Sequence, residues 1–228
     1  MSFTDDTWSR TADLRRAVEG SLFLAELGAG SLDPATFRHY LEQDTIYLAG
    51  YARALSLLAA RAPDPASAGF WAGSAHGAAS VEVSLHADLL SGGLLPEPVG
   101  AAQASPTTLG YVSYLVSATA TAPYAVAAAA VLPCFWIYAD AGRRLAAHAQ
   151  LVAEHPYARW VAAYDAPGFH ASVEQARRLV DEAALANPGE VEAMHDAFAV
   201  ATRYEWMFWE TAHHREDWPT VPHLLDPG

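Results

Sequence analysis

The stretch Tyr111-Val-Ser-Tyr-Leu-Val-Ser-Ala-Thr-Ala-Thr-Ala-Pro-Tyr-Ala-Val-Ala-Ala-Ala-Ala-Val-Leu-Pro-Cys-Phe-Trp-Ile-Tyr138 contains no charged residue. A run of this kind is either a membrane span or part of a thick protein core. Membrane spans are continuous apolar runs. This one is broken by Pro123 and Pro133 and studded with Ser and Thr, so it reads as two buried helices. Around it, almost every other segment repeats its apolar residues at the helical period, and no run alternates at period two. The fold class is therefore all-α.

Residues 5 to 27 read as a first helix, with Leu14, Val18, Leu22 and Leu27 among its apolar positions and Gly28 and Gly30 at its end. Asp33-Pro34 supplies an N-cap followed by proline at the first helical position, where its missing N–H costs nothing. It opens a helix from 34 to about 61, stopped by Ala62-Pro63-Asp64-Pro65. A third helix is expected over 66 to 90. Residues 91 to 105 form the one substantial loop, rich in Gly and Pro. Further helices are expected at about 106–122, 124–148, 155–165 and 167–186. Asn187-Pro188-Gly189-Glu190 combines an N-cap, a first-turn proline and an N3 carboxylate, opening a last helix over 188–215. The expectation is a single-domain helical bundle of about eight helices over residues 1–228, with an irregular tail from about 216.

At 228 residues, with 52% hydrophobic and 17% charged, the chain is rich in apolar side chains, which favours a thick core or association with copies of itself. The formal net charge of -13 repels phosphate backbones and anionic bilayers, which speaks against nucleic acid and membrane partners. Met1-Ser2-Phe3-Thr4-Asp5-Asp6 has no basic region leading into an apolar run, and there is one cysteine; both fit the cytoplasm.

That cysteine, Cys134, is either a small core hydrophobe or a nucleophile. Pro133 before it removes a helical N–H, so a bend with carbonyls needing partners is expected beside the sulfur. Tyr138 shares its face one turn later, while Phe135 and Trp136 should point elsewhere. In the second helix Tyr40, Gln43, Asp44, Tyr47 and Tyr51 fall three or four apart. That face is either an amphipathic boundary with wet tyrosine tips, or a polar wall for a flat heterocycle whose N–H groups Asp44 accepts. In the last helix Glu205 sits among Tyr204, Trp206, Phe208 and Trp209. Burial there would raise its pKa and let it carry a proton near neutrality; the alternative is a salt bridge to an arginine. Tyr111, Tyr114 and Tyr164 add to an unusual stock of phenols.

Metal patterns are weak. Glu192-Ala-Met-His195 and Glu210-Thr-Ala-His213 each match Glu-x-x-His, but they lie about 27 Å apart along one helix and cannot share a dinuclear site. Glu82 and His86 form an i,i+4 pair of the kind that more often makes a helix-surface hydrogen bond. Hydrolase triad signatures, glycine-rich phosphate loops and zinc-type cysteine spacings are missing.

Taken in order, six segments resemble the thiaminase II family, also called TenA. They are Gly30-Ser-Leu; Phe37-Arg-His-Tyr40-Leu-Glu-Gln43-Asp44-Thr-Ile-Tyr47-Leu48; Pro106-Thr-Thr-Leu-Gly-Tyr111; Leu132-Pro133-Cys134-Phe-Trp136-Ile-Tyr138; Trp160 with Tyr164; and Glu205-Trp-Met-Phe208-Trp209-Glu-Thr-Ala212. The resemblance implies a haem-oxygenase-like fold, a homotetramer, and hydrolysis of an aminopyrimidine or of thiamine at the carbon that joins the pyrimidine to its leaving group. It implies Cys134 as nucleophile, Glu205 as acid/base, and Asp44, Tyr47, Tyr111, Tyr138 and Tyr164 as substrate-binding residues, with no cofactor and no metal. Gly20-Ser21-Leu22-Phe23 departs from the family's His-Pro-Phe at that point. Three other classes stay open on the residues. One is a haem-degrading enzyme, which needs a histidine on the first helix where this chain has none before His39. Another is a metal-dependent oxidase using Glu82 and His86, and the last is a non-catalytic pyrimidine binder or regulator.

Overall fold

The computed structural model describes residues 2–220, apart from positions 92, 94 and 99 and the side chains of residues 81–83. Among the described residues all regular structure is helical. The elements run α1 (Phe3–Arg10), α2 (Ala12–Glu19), α3 (Leu22–Ala29), α4 (Pro34–Ala60), α5 (Pro65–His76), a π-helical stretch (Gly77–Glu82), α6 (Val83–Ser91), α7 (Pro106–Thr121), α8 (Tyr124–Ala149), α9 (Ala158–Tyr164), α10 (Pro167–Ala186), a 3-10 turn (Pro188–Glu190) and α11 (Val191–His213).

The eight expected segments are all helical, and two of them are subdivided. The first divides into α1, α2 and α3, because Thr11 leaves helical geometry and Gly20-Ser21 ends one helix and caps the next. The third is interrupted by the π-helical stretch, a local widening that recurs at functional sites. Asp33 caps α4 as expected, its Oδ1 accepting from the N–H groups of Ala35 at 2.9 Å and Thr36 at 3.0 Å. Asn187 does not cap α11. Its side-chain amide instead donates to the Ala183 carbonyl at 2.9 Å, closing α10, and a 3-10 turn leads into α11. The tail is non-helical as far as Thr220, and residues 221–228 of the expected irregular tail lie outside the described residues.

Helix α8 is the axis of the bundle, packing against α11 and α10 most extensively and also against α9, α7 and α3. It is one of the two buried helices read from the uncharged run, and most of its apolar window is inside the protein. It runs through Pro133 without a break, and the carbonyl of Val131, close to that proline, accepts from the Tyr51 hydroxyl at 2.9 Å. Buried apolar residues from Val18 to Ala212 form one continuous cluster, worth about 1.5–3 kcal/mol for each large side chain fully removed from water. Two glycines have structural reasons. Gly30, at φ +69°, ends α3 in the left-handed conformation. Gly142 lets α8 touch the end of α9, since a Cβ there would stand 2.6 Å from the Tyr164 carbonyl oxygen. That contact brings Tyr164 beside Tyr138, with ring centroids 5.1 Å apart.

Candidate active site

A cavity of about 520 Å³ opens between α4, α5, the π-helical stretch, α8, α9 and the start of α10. The amphipathic phase of α4 turns Asp44, Tyr47 and Tyr51 toward it, one turn apart, and α8 contributes Cys134 and Tyr138. Tyr164 closes the wall from the end of α9. Five of the seven residues expected from sequence thus line one hollow. Cys134 is half-buried on that wall, packed against the core on one side and facing the cavity on the other.

The other two, Tyr111 and Glu205, do not line the cavity but stand behind Tyr47. The rings of Tyr47 and Tyr111 stack at 4.9 Å, and the Tyr111 hydroxyl donates to Glu205 Oε1 at 2.5 Å. The Tyr47 hydroxyl makes no hydrogen bond of good geometry, although it lies within reach of the Tyr111 phenol. Glu205 is 1% exposed. Burial pushes its carboxyl up to about 8, against a smaller downward pull from the Tyr111 hydroxyl, so it holds its proton at neutral pH. The salt bridge weighed as an alternative is replaced by the tyrosine.

Burial also raises the phenols of Tyr40, Tyr47, Tyr51, Tyr111 and Tyr138 well above their ordinary value. Proximity to Cys134 adds to the rise at Tyr47, Tyr51 and Tyr111, and proximity to Glu205 adds to it at all five. Sulfur, carboxyl and phenols are therefore close enough to act on one another. All five phenols remain proton donors in the physiological range.

Tyr40 belongs to this site and did not stand out from its neighbours in sequence. Its hydroxyl donates to Asp44 Oδ2 at 3.0 Å and meets the Tyr138 hydroxyl at 3.3 Å. Its place at i-4 from Asp44 on the polar face of α4 is the signal for it. Phe135, expected to point away from the sulfur into core or against a neighbouring helix, is buried against Phe70 of α5 with centroids 6.2 Å apart, yet it also lines the cavity. Trp136 points away, stacked on Trp8 at 4.0 Å with the Arg177 guanidinium 4.1 Å from its ring.

The histidines of the metal-like patterns each face a carboxylate from another element. His195 pairs with Asp6 at 3.2 Å, His213 with Glu26 at 3.1 Å, and His86 with Asp44 at 3.4 Å. Glu192 is taken by Arg10 at 3.0 Å, and the Glu82 side chain lies outside the described residues. Among the described residues, no three His, Cys, Asp or Glu side chains are gathered as a metal centre requires.

Among the described residues the chain is thus an all-helical bundle whose central helix offers a thiol to a largely apolar cavity backed by a protonated carboxyl. The TENA/THI-4/PQQC family model matches residues 22–216. The aminopyrimidine aminohydrolase of Bacillus subtilis is 32% identical over 223 residues, covering 96% of this chain and 92% of that protein. The multifunctional thiamine biosynthesis protein ThiED of Corynebacterium efficiens is 37% identical over 217 residues, although the chain spans only 29% of its length. A solved TenA homologue from Pyrococcus horikoshii superposes with a TM-score of 0.85 at 21% identity, covering 94% of this chain and all of that one. The chain belongs to the TENA/THI-4/PQQC family.

Proposed function

We propose that this chain is an aminopyrimidine aminohydrolase, a thiaminase II of thiamine salvage. It hydrolyses 4-amino-5-aminomethyl-2-methylpyrimidine, and thiamine more weakly, to 4-amino-5-hydroxymethyl-2-methylpyrimidine. The observation that carries this is the meeting of Cys134 and Asp44 on one cavity wall with a protonated Glu205 directly behind it. The family membership and the name of the Bacillus subtilis relative support the same reading.

In this chemistry Asp44 receives the amino edge of the pyrimidine, while Tyr138 and Tyr164 border the ring. Glu205 supplies the proton for a ring nitrogen, with the Tyr111 and Tyr47 phenols standing between it and the cavity. The protonated ring becomes electrophilic enough for the Cys134 sulfur to form a carbon–sulfur bond at a ring carbon, with loss of aromaticity. The electron pair released into the ring expels the amine, which takes up the proton given up by the thiol and leaves as ammonia, and an exocyclic methylene remains. Water adds to that carbon, the carbon–sulfur bond breaks, the water's spare proton restores the thiol, and the ring proton returns to Glu205 as the ring regains aromaticity. The net change is one water consumed and one ammonia released, which requires no redox partner.

We further read the described residues, 2–220, as one folded unit, on the single continuous core, and the protein as a cytoplasmic homotetramer. Exposed Leu57 and Leu109 on α4 and α7 support self-association. Light scattering gives the particle mass. The test of function is mass-spectrometric product analysis in 18O-labelled water, with the aminomethylpyrimidine and with thiamine. Hydroxymethylpyrimidine carrying one labelled oxygen is expected. Folded protein that leaves both compounds unchanged would refute the proposal.

A further inference from the structure

His86 is fully buried, and its two ring nitrogens face different groups. Nδ1 lies 3.2 Å from Thr45 Oγ1, and Nε2 lies 3.4 Å from Asp44 Oδ2 with no hydrogen bond of good geometry. The threonine decides the tautomer. Its one hydroxyl hydrogen goes to the Leu41 carbonyl at 2.7 Å, so Oγ1 can only accept from the histidine, and Nδ1 must carry hydrogen. If Nε2 carried none, its lone pair would face a carboxylate oxygen at 3.4 Å, in a place where Asp44 is only 1% exposed. Such a contact is repulsive and has no water to relieve it.

We propose that His86 is a positioning residue for Asp44: Nδ1 gives its hydrogen to Thr45, and one proton lies between Nε2 and Asp44 Oδ2, fixing the carboxyl for the amino edge of the pyrimidine. The Tyr40 hydroxyl donates to the same oxygen at 3.0 Å and receives the Tyr138 hydroxyl at 3.3 Å. Two partners on one oxygen from different helices set the rotation of the carboxyl about its Cβ–Cγ bond. Burial pushes the imidazole down to about 4, so the ring by itself stays neutral at physiological pH. Without His86 the carboxyl would keep the Tyr40 hydroxyl but lose the partner on the other helix, with weaker aim at the substrate. The role presupposes the aminopyrimidine chemistry proposed above.

The test uses the full chain with His86→Leu, which keeps volume but removes both nitrogens, and His86→Gln, which restores a neutral donor. For His86→Leu, KM for the aminomethylpyrimidine and the calorimetric Kd of the hydroxymethyl product should both rise about tenfold, the size of one buried hydrogen bond. The change in kcat should be smaller, and His86→Gln should recover most of the loss. Independently, 15N-histidine spectra of the wild-type protein, with His86 assigned by its loss in His86→Gln, should show hydrogen on Nδ1. Unchanged KM and Kd in folded His86→Leu, or a hydrogen-free Nδ1, would overturn the proposal. If His86→Leu does not fold, His86→Gln and the spectra decide. Wild-type protein that neither binds nor converts the pyrimidine would defeat the aminopyrimidine assignment instead, while the spectra still test the His86–Asp44 pair.

Discussion

The protonated state of Glu205 has a thermodynamic signature that can be read without substrate. A free glutamate loses its proton around 4.5, whereas the folded chain holds the Glu205 proton up to about 8. A raised folded pKa contributes stability that is fully present below the unfolded value and is lost as pH climbs through the folded one. Between about pH 5.5 and pH 8.5 this single carboxyl should therefore lower the unfolding free energy by on the order of 3 kcal/mol. Glu205→Gln keeps the shape and the acceptor for the Tyr111 hydroxyl but does not titrate. Urea unfolding of both proteins at the two pH values, at one protein concentration, isolates the effect, because every other titrating group cancels in the difference. The variant should gain on wild type by about 3 kcal/mol over that window. Parallel losses in the two proteins would mean that Glu205 is already ionised at neutrality and has no proton to give.

Removing the Tyr111 hydroxyl with Tyr111→Phe takes away the hydrogen bond that lowers the Glu205 pKa, so the alkaline limb of the pH–rate profile should move to higher pH. A limb that stays in place would separate the two residues. Gly142→Ala should destabilise the fold by about 1–3 kcal/mol, because the added methyl meets the Tyr164 backbone and not a side chain that can swing away. Thermal melting reads the loss, and KM should rise with it as Tyr164 is displaced. Tyr40→Phe removes a donor to Asp44 Oδ2 and should weaken binding of the hydroxymethyl product by about 1–2 kcal/mol, measured by calorimetry.

The long helices and their starts were legible in sequence because their signals are local. Asp33-Pro34 caps as read, and Ser105-Pro106 opens α7 in the same way, with Ser105 Oγ accepting from the Thr108 N–H at 3.2 Å. Asn187 misled because it stands between two helices, and its side chain serves the one behind it. The breaks at Thr11 and Gly20 are weak in propensity, and tertiary packing of α1 against α10 and of α2 against α11 decides them. At the site, the phase of α4 predicted that Asp44 and Tyr47 share a face and that of α8 that Cys134 and Tyr138 do, while the meeting of the two faces was implied only by the family resemblance. The desolvation of Glu205 was readable from its aromatic neighbours. Its depth behind Tyr47 was not, because that depends on how α7 and α11 approach each other. His86 was read beside Glu82 on its own helix, but its partner is Asp44, 42 positions earlier, a pairing no local pattern encodes.

The most direct test of the thiol chemistry is the rate of ammonia release from the aminomethylpyrimidine by Cys134→Ser, which alters one atom on the cavity wall. Calorimetric binding of the hydroxymethyl product serves as the check that the pocket is intact. The variant should bind that product as wild type does and release ammonia slower by on the order of 10³ or more. Release at the wild-type rate would show that the sulfur forms no bond to the ring.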